Sequence, residues 1–243
     1  GLLLLPLILF VLAEPRKIKN FQQTSKHEES LKLALEHLKA KKSFVLSLVG
    51  CVFFYFCVYG MSAFLVSFMI RNHAIELSSA ATLIGLVTVL ATLIGTPVGG
   101  KLADKYSKKN ISRIPLLPSV AFALSTPCFL AALITSSYAI ASVFLFIALT
   151  FVMSALPVIF SCIHAVCGSK RRATAVALAM FMSNLIGAGF GPFVVGAVSD
   201  LFASSYGSAS GLKISLALAS LALLPASWCM FRASKTIKSD MEN

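Results

Sequence analysis

Long apolar runs separated by short polar connections make up most of this chain. Six of them stand out: Phe44 to Ile70, Ala80 to Gly100, Ile114 to Ile134, Tyr138 to Val166, Ala173 to Ser199 and Leu212 to Phe231. None carries Asp, Glu, Lys or Arg except Lys213, near the start of the last. A helix needs about 20 residues to cross the hydrocarbon core of a bilayer, so each run predicts a transmembrane helix. Residues 1–13 are also apolar but fall short of that length. Charge follows this stretch instead of preceding it, which is the reverse of a signal peptide, and no initiator Met is present. It reads as the end of a preceding transmembrane helix.

Residues 14–43 are polar. Ser25 and Glu28 have the spacing of a capping box, and Leu31, Ala34, Leu35 and Leu38 then share a face opposite Lys32, Glu36 and Lys39. The pattern predicts an amphipathic helix, either lying on anionic head groups or solvated as a plain linker. The expected organisation is a linker over 14–43, a six-helix bundle over 44–232 and a tail over 233–243.

Basic residues orient the bundle, because positive charge resists translocation. The segment before the first run holds eight Lys or Arg, and the turn Arg71 to Ser79 one. Lys101 to Arg113 holds five, the turn near Ser136 none, Gly168 to Arg172 three, Asp200 to Gly211 none and the tail from Arg232 three. The alternation places 19 of the 21 basic residues on the cytoplasmic side, together with the linker and the tail. It also gives a repeated outline opposite senses: Pro97, Gly100 and Asp104 recur as Pro192, Gly196 and Asp200, ending runs that point to opposite faces. Inverted repeats of this kind mark secondary transporters.

Composition agrees with a lipid-embedded chain. The sequence is 58% hydrophobic and 12% charged, against about 25% charged in soluble domains. Its net charge of +12 sits between apolar runs, without the interleaved readers that nucleic acid requires, so no nucleic-acid partner is expected. The six cysteines lie in or at the ends of apolar segments without a Cys-x-x-Cys pair and read as small buried hydrophobes. No metal site or cofactor is implied, and no catalytic residue is assigned.

Three groups of residues carry candidate chemistry. Asp104, beside Lys105, Lys108 and Lys109, can meet the amino-terminal end of the helix that begins near Arg172, where free amides and the macrodipole favour an anion. With Gly100 allowing close approach, these residues predict a cytoplasmic gate; the plainer alternative is a helix ending in water. Gly95, Pro97 and Gly99, and Asn184, Gly187, Gly191 and Pro192, bring small residues and helix-loosening prolines to two helix interfaces, as hinges or as static packing. Tyr55, Tyr59, Ser62, Ser154, Ser161 and His164 are the candidate cavity lining. Such sparse polarity suits an amphipathic or lipid-like cargo. His164 is the one ionisable group well inside a run, a proton carrier or a structural donor. Ser161 and His164 also open the reading of an intramembrane lipid-modifying enzyme, which lacks any supporting motif.

Gly100-Lys-Leu-Ala-Asp104-Lys105, followed by Lys108 and Lys109, resembles the loop signature of the major facilitator superfamily in its copy between helices eight and nine. Arg172-Ala-Thr-Ala-Val-Ala-Leu, with the stretch from Asn184 to Asp200, is similar to helix eleven of the spinster-like branch, which includes exporters of lysophospholipids and sphingosine-1-phosphate. The resemblance implies an all-α membrane protein: a 3+3 inverted repeat forming the carboxy-terminal half of a twelve-helix fold, with residues 1–13 the end of helix six. It implies an amino-terminal half as partner, the bilayer as surroundings and an amphipathic small molecule as substrate. Other exporters of small organic molecules or drugs, and a channel or receptor-like bundle, remain as alternatives. Leu156 before Pro157 is bulkier than the small residue the resemblance leads one to expect.

Overall fold

The computed structural model describes residues 31–108 and 110–242. The expected end of a helix at residues 1–13, the Ser25–Glu28 capping box and Lys109 lie outside them. Every element among the described residues is helical: α1 (Leu31–Ala40), α2 (Lys42–Ser62), α3 (Leu65–His73), α4 (Leu77–Ser107), α5 (Leu116–Ile134), α6 (Tyr138–Gly168), α7 (Arg171–Tyr206) and α8 (Ser208–Met241). Among the described residues six helices are long and apolar enough to cross a membrane, namely α2, α4, α5, α6, α7 and α8, with a 3₁₀ turn at Ile111–Arg113 leading into α5. The fold is that of an all-α membrane protein with six spans.

The spans meet at corners that the local residues dictate. Between α6 and α7 the chain turns at Gly168, with φ at 64°, and between α7 and α8 at Gly207, with φ at 84°. Side chains are strained at positive φ, so both corners need glycine. Short connections force neighbouring spans to run antiparallel, so the second and fifth spans, which carry Asp104 and Asp200, point in opposite senses.

α6 is the central helix. Its buried positions Ala141, Leu145, Ala148, Val152, Ala155, Ile159, Cys162 and Val166 alternate steps of three and four, the spacing of a helix buried along one stripe. All of these but Leu145 are small or β-branched, which lets α4 and α5 press against α6 from two sides. Larger side chains fill the space behind it. Phe44, Phe54, Phe68, Phe122 and Phe129 are at most 2% exposed, and the Phe54 and Phe122 rings stand 5.8 Å apart between α2 and α5.

Element boundaries depart from the apolar runs in four places. The first run, expected as one helix, breaks after Ser62 and resumes as α3, which ends at Ala74 in the left-handed region (φ 53°). Lys101 to Ser107, expected as loop, continues α4, because its Leu102 and Ala103 keep the helical stripe while Lys101, Asp104 and Lys105 face outward. Asp200 likewise sits inside α7, not in a loop. Residues 233–242, expected as a tail, extend the last helix and bury Ala233 and Ile237. Finally, α1 turns part of its apolar stripe onto the protein: Leu38 is 1% exposed and Ala34 5%.

Candidate functional site

The position of Asp104 is set by how closely α4 meets α6. A β-carbon on Gly95 would stand 2.5 Å from the Thr150 carbonyl oxygen, and one on Gly99 would overlap the Ser154 carbonyl. Two glycines one turn apart thus bring the helix backbones into direct contact. Gly100, one residue on, faces open space. Pro97 lies between them inside α4, which continues past it without a break.

Below this crossing, Asp104, Ser161, His164 and Arg172 line a single cavity of about 430 Å³, together with Ala103, Ser107, Ile111, Ile114 and Ala165. The sequence placed Asp104 and Arg172 in a gate and Ser161 and His164 in a separate lining. The fold puts all four around one space at the basic end of the bundle. Lys105 and Lys108 are exposed beside it. Arg172 stands in the first turn of α7, where the helix dipole adds to its positive charge, so this wall of the cavity attracts the carboxylate opposite. The Ser107 hydroxyl donates to the Asp104 backbone carbonyl at 2.9 Å, satisfying one of the carbonyls that the end of α4 leaves unpaired.

The hydroxyl of Ser161 donates to the Pro157 carbonyl at 2.8 Å. A nucleophile would instead hand its proton to a base, and His164 is not its partner. The same local pattern holds for Ser154, which donates to Phe151 at 2.7 Å, and for Ser62, which donates to Tyr59 at 3.1 Å. These hydroxyls satisfy themselves within their helices and soften the polarity of the walls they line.

A second assembly stands where α7 crosses α2. Asn184 opens a seven-residue π-helical stretch, Asn184–Phe190, just ahead of Pro192. Proline lacks the amide that would bond the Ala188 carbonyl, and the wider turn absorbs the mismatch; such bulges gather at functional places. The stretch turns Gly187 onto Tyr55, where a β-carbon would stand 2.6 Å from the Tyr55 Cβ, and Gly191 onto Phe56 and Gly60. Tyr55 and Tyr59 stack with ring centroids 5.6 Å apart, and the Tyr59 hydroxyl reaches the Asn184 Oδ1 at 3.5 Å. Asn184 itself donates to the Met180 carbonyl at 2.8 Å.

The six residues expected to line one cavity therefore divide among separate places. Tyr55 and Tyr59 face the α2–α7 crossing, and Ser161 and His164 the charged cavity. Ser62 lines a small space of about 110 Å³ between α2, α3, α4, α5 and α6, and Ser154 a larger apolar groove between α4, α5 and α6. Helix rotation, invisible in a list of polar residues, separates them.

One arrangement was not foreseen. Lys41, between α1 and α2, donates to the Val166 carbonyl at 3.0 Å and to the Asp240 carbonyl at 2.8 Å, tying the neighbouring ends of α2, α6 and α8 together. The partners are 125 and 199 residues apart, and no local pattern announces them.

A bundle of six membrane-length helices packed on a central helix, with two glycine-lined crossings and a charged cavity at one end, is the architecture of a polytopic membrane protein. The chain belongs to the Major Facilitator Superfamily, whose family model matches residues 1–192. It is 25% identical to an MFS-type efflux pump of Mycolicibacterium smegmatis over 84% of this chain and 48% of that protein. It is also 25% identical to protein spinster homolog 3 of Danio rerio, over 82% of this chain and 43% of the relative. The chain thus spans less than half the length of these relatives. Two crystal structures of a bacterial homologue of the human lysosomal transporter Spinster, both inward-facing, superpose on it. The occupied form matches with a TM-score of 0.77 at 25% identity, covering 84% of this chain and 51% of that one. The unoccupied form, at 24% identity, gives a TM-score of 0.82 and covers 99% and 58%. Family and fold point to a transporter rather than an enzyme.

Proposed function

We propose that this chain forms the carboxy-terminal six-helix half of a secondary transporter that carries an amphipathic, lipid-like small molecule of lysophospholipid or sphingolipid type by alternating access. The cargo site lies between this bundle and an amino-terminal half, as midplane sites between repeats do. Relatives of which the chain covers less than half support the existence of such a partner. The observation that carries the reading is the shared cavity of Asp104 and Arg172: an acidic residue near the end of α4 and a basic one at the start of α7 line one space, which suits a gate that closes by ion pairing and opens by separation. The cytoplasmic side is the one bearing this cavity, since the basic residues cluster there.

The walls support a lipid-like cargo. Exposed side chains on α4 and α7 include many large apolar ones, among them Leu93, Ile94, Phe181, Leu185 and Phe190, and the hydroxyls of Ser154 and Ser161 on α6 bond their own helix. Such surfaces offer few donors to a sugar or a free amino acid. The resemblance to an efflux pump keeps small organic molecules or drugs as a second cargo class.

The test is flux in liposomes containing the full-length protein. Saturable movement of a fluorescent lysophospholipid, slowed by Asp104→Asn at equal expression, supports the reading. An unchanged rate in that variant removes the gate, and product formation in detergent would mean an enzyme.

A further inference from the structure

A groove of about 660 Å³ runs along the bundle between α4 and α5, floored by α6. α4 and α5 each pack on α6 and part from one another, so the groove opens sideways. Its rims, Val98, Val120 and Leu124, are 46%, 56% and 45% exposed.

Three features of the groove match the inner leaflet of a bilayer. Along α4 it reaches from Gly95 to Tyr106, about 16 Å at a rise of about 1.5 Å per residue, running from the end of the apolar stretch past Lys101 to the basic helix end, as a path from a leaflet's hydrocarbon into its head-group zone would. Its walls are mainly apolar, and the hydroxyls of Thr150 and Ser154 bond their own helix. At the shallow end stand the Tyr106 side chain and Arg113, the one charged residue among the described lining residues. Lys101, Lys105 and Lys108 are exposed on the same end of α4, while Asp104 faces the other cavity.

We propose that this groove is a lipid site: one acyl chain of an anionic phospholipid from the cytoplasmic leaflet lies along α4 and α5, and its phosphate sits on the Arg113 guanidinium. The apolar walls select a lipid over a soluble anion. Arg113, the one cation among the described lining residues, selects a net negative head group over a zwitterionic one. The lipid fills the gap that the divergence of α4 and α5 leaves on the outer flank of α6, apart from the charged cavity that Asp104 lines. The site rests on the orientation proposed above and on no assumption about the cargo.

The test uses the full-length protein reconstituted in bilayers, with Trp228 and every tryptophan outside this chain replaced by Phe and with Leu124→Trp, so that the one indole sits on the groove. Quenching by brominated phosphatidylglycerol is compared with quenching by brominated phosphatidylcholine. The expected preference for the anionic lipid is about fivefold, the ratio that one basic residue near an anionic surface supplies. Adding Arg113→Gln returns it to parity, whereas Leu86→Trp, on the far half of α4, shows none. Equal quenching by both lipids at Leu124→Trp, a preference that survives Arg113→Gln, or the same preference at Leu86→Trp each overturns the site. Val120→Trp repeats the measurement should Leu124→Trp not be monodisperse. Transport is not read, so failure here leaves the transport proposal standing.

Discussion

The carboxylate of Asp240 accepts hydrogen bonds of 2.6 Å from both the backbone amide and the hydroxyl of Ser43, 197 residues earlier in the chain. The end of the last helix thereby caps the start of the first span, satisfying an amide that a helix start leaves unpaired. Asp240→Ala removes an anionic cap and is expected to cost about 1–2 kcal/mol. Detergent-solubilised protein should then melt earlier and lose its last residues to protease sooner. Asp240→Asn, which keeps one acceptor, should fall between. Identical melting of all three would show that the cap contributes nothing.

The α4–α6 crossing discriminates between adjacent glycines. Gly99→Ala drives a methyl into the Ser154 backbone, which cannot rotate away, whereas Gly100→Ala points into open space. Overpacking of this kind costs about 1–3 kcal/mol. The first variant should lose thermal stability and the second remain near the parent; the reverse order would refute the crossing.

At the α2–α7 crossing the same logic separates Gly187 from Gly189. A β-carbon at Gly187 meets Tyr55, while one at Gly189 meets nothing within 4 Å. Gly187→Ala should displace the Tyr55–Tyr59 stack and lower both stability and flux. Gly189→Ala should leave the melting temperature unchanged.

If Asp104 and Arg172 act as one latch, their substitutions will not add. Asp104→Asn and Arg172→Gln should each slow lysolipid flux, and the double variant should be no slower than the slower single, a coupling of about 0.5–3 kcal/mol. Fully additive effects would mean two independent roles for the residues.

Topology is checked with a membrane-impermeant maleimide in a cysteine-free background. Lys108→Cys and Tyr206→Cys, both exposed at the ends of α4 and α7, should label from opposite faces of sealed vesicles. Labelling of both from one side would remove the inverted repeat.

Six spans, their order and the placing of charge at their ends were legible in the sequence, because hydrophobic length and the exclusion of Lys and Arg from lipid act locally, residue by residue. The small residues of the two crossings were legible for the same reason: Gly99 and Gly187 show their lack of a side chain wherever they pack. Tertiary structure alone decided which polar groups meet. Ser161 and His164 joined Asp104 and Arg172, while Ser62 and Ser154 went elsewhere, because helix rotation and crossing angle set which face looks into which space. The Ser43–Asp240 cap and the groove ending at Arg113 belong to that second class too. Each needs elements far apart in the chain to be brought side by side, and no local pattern encodes a distance between helices.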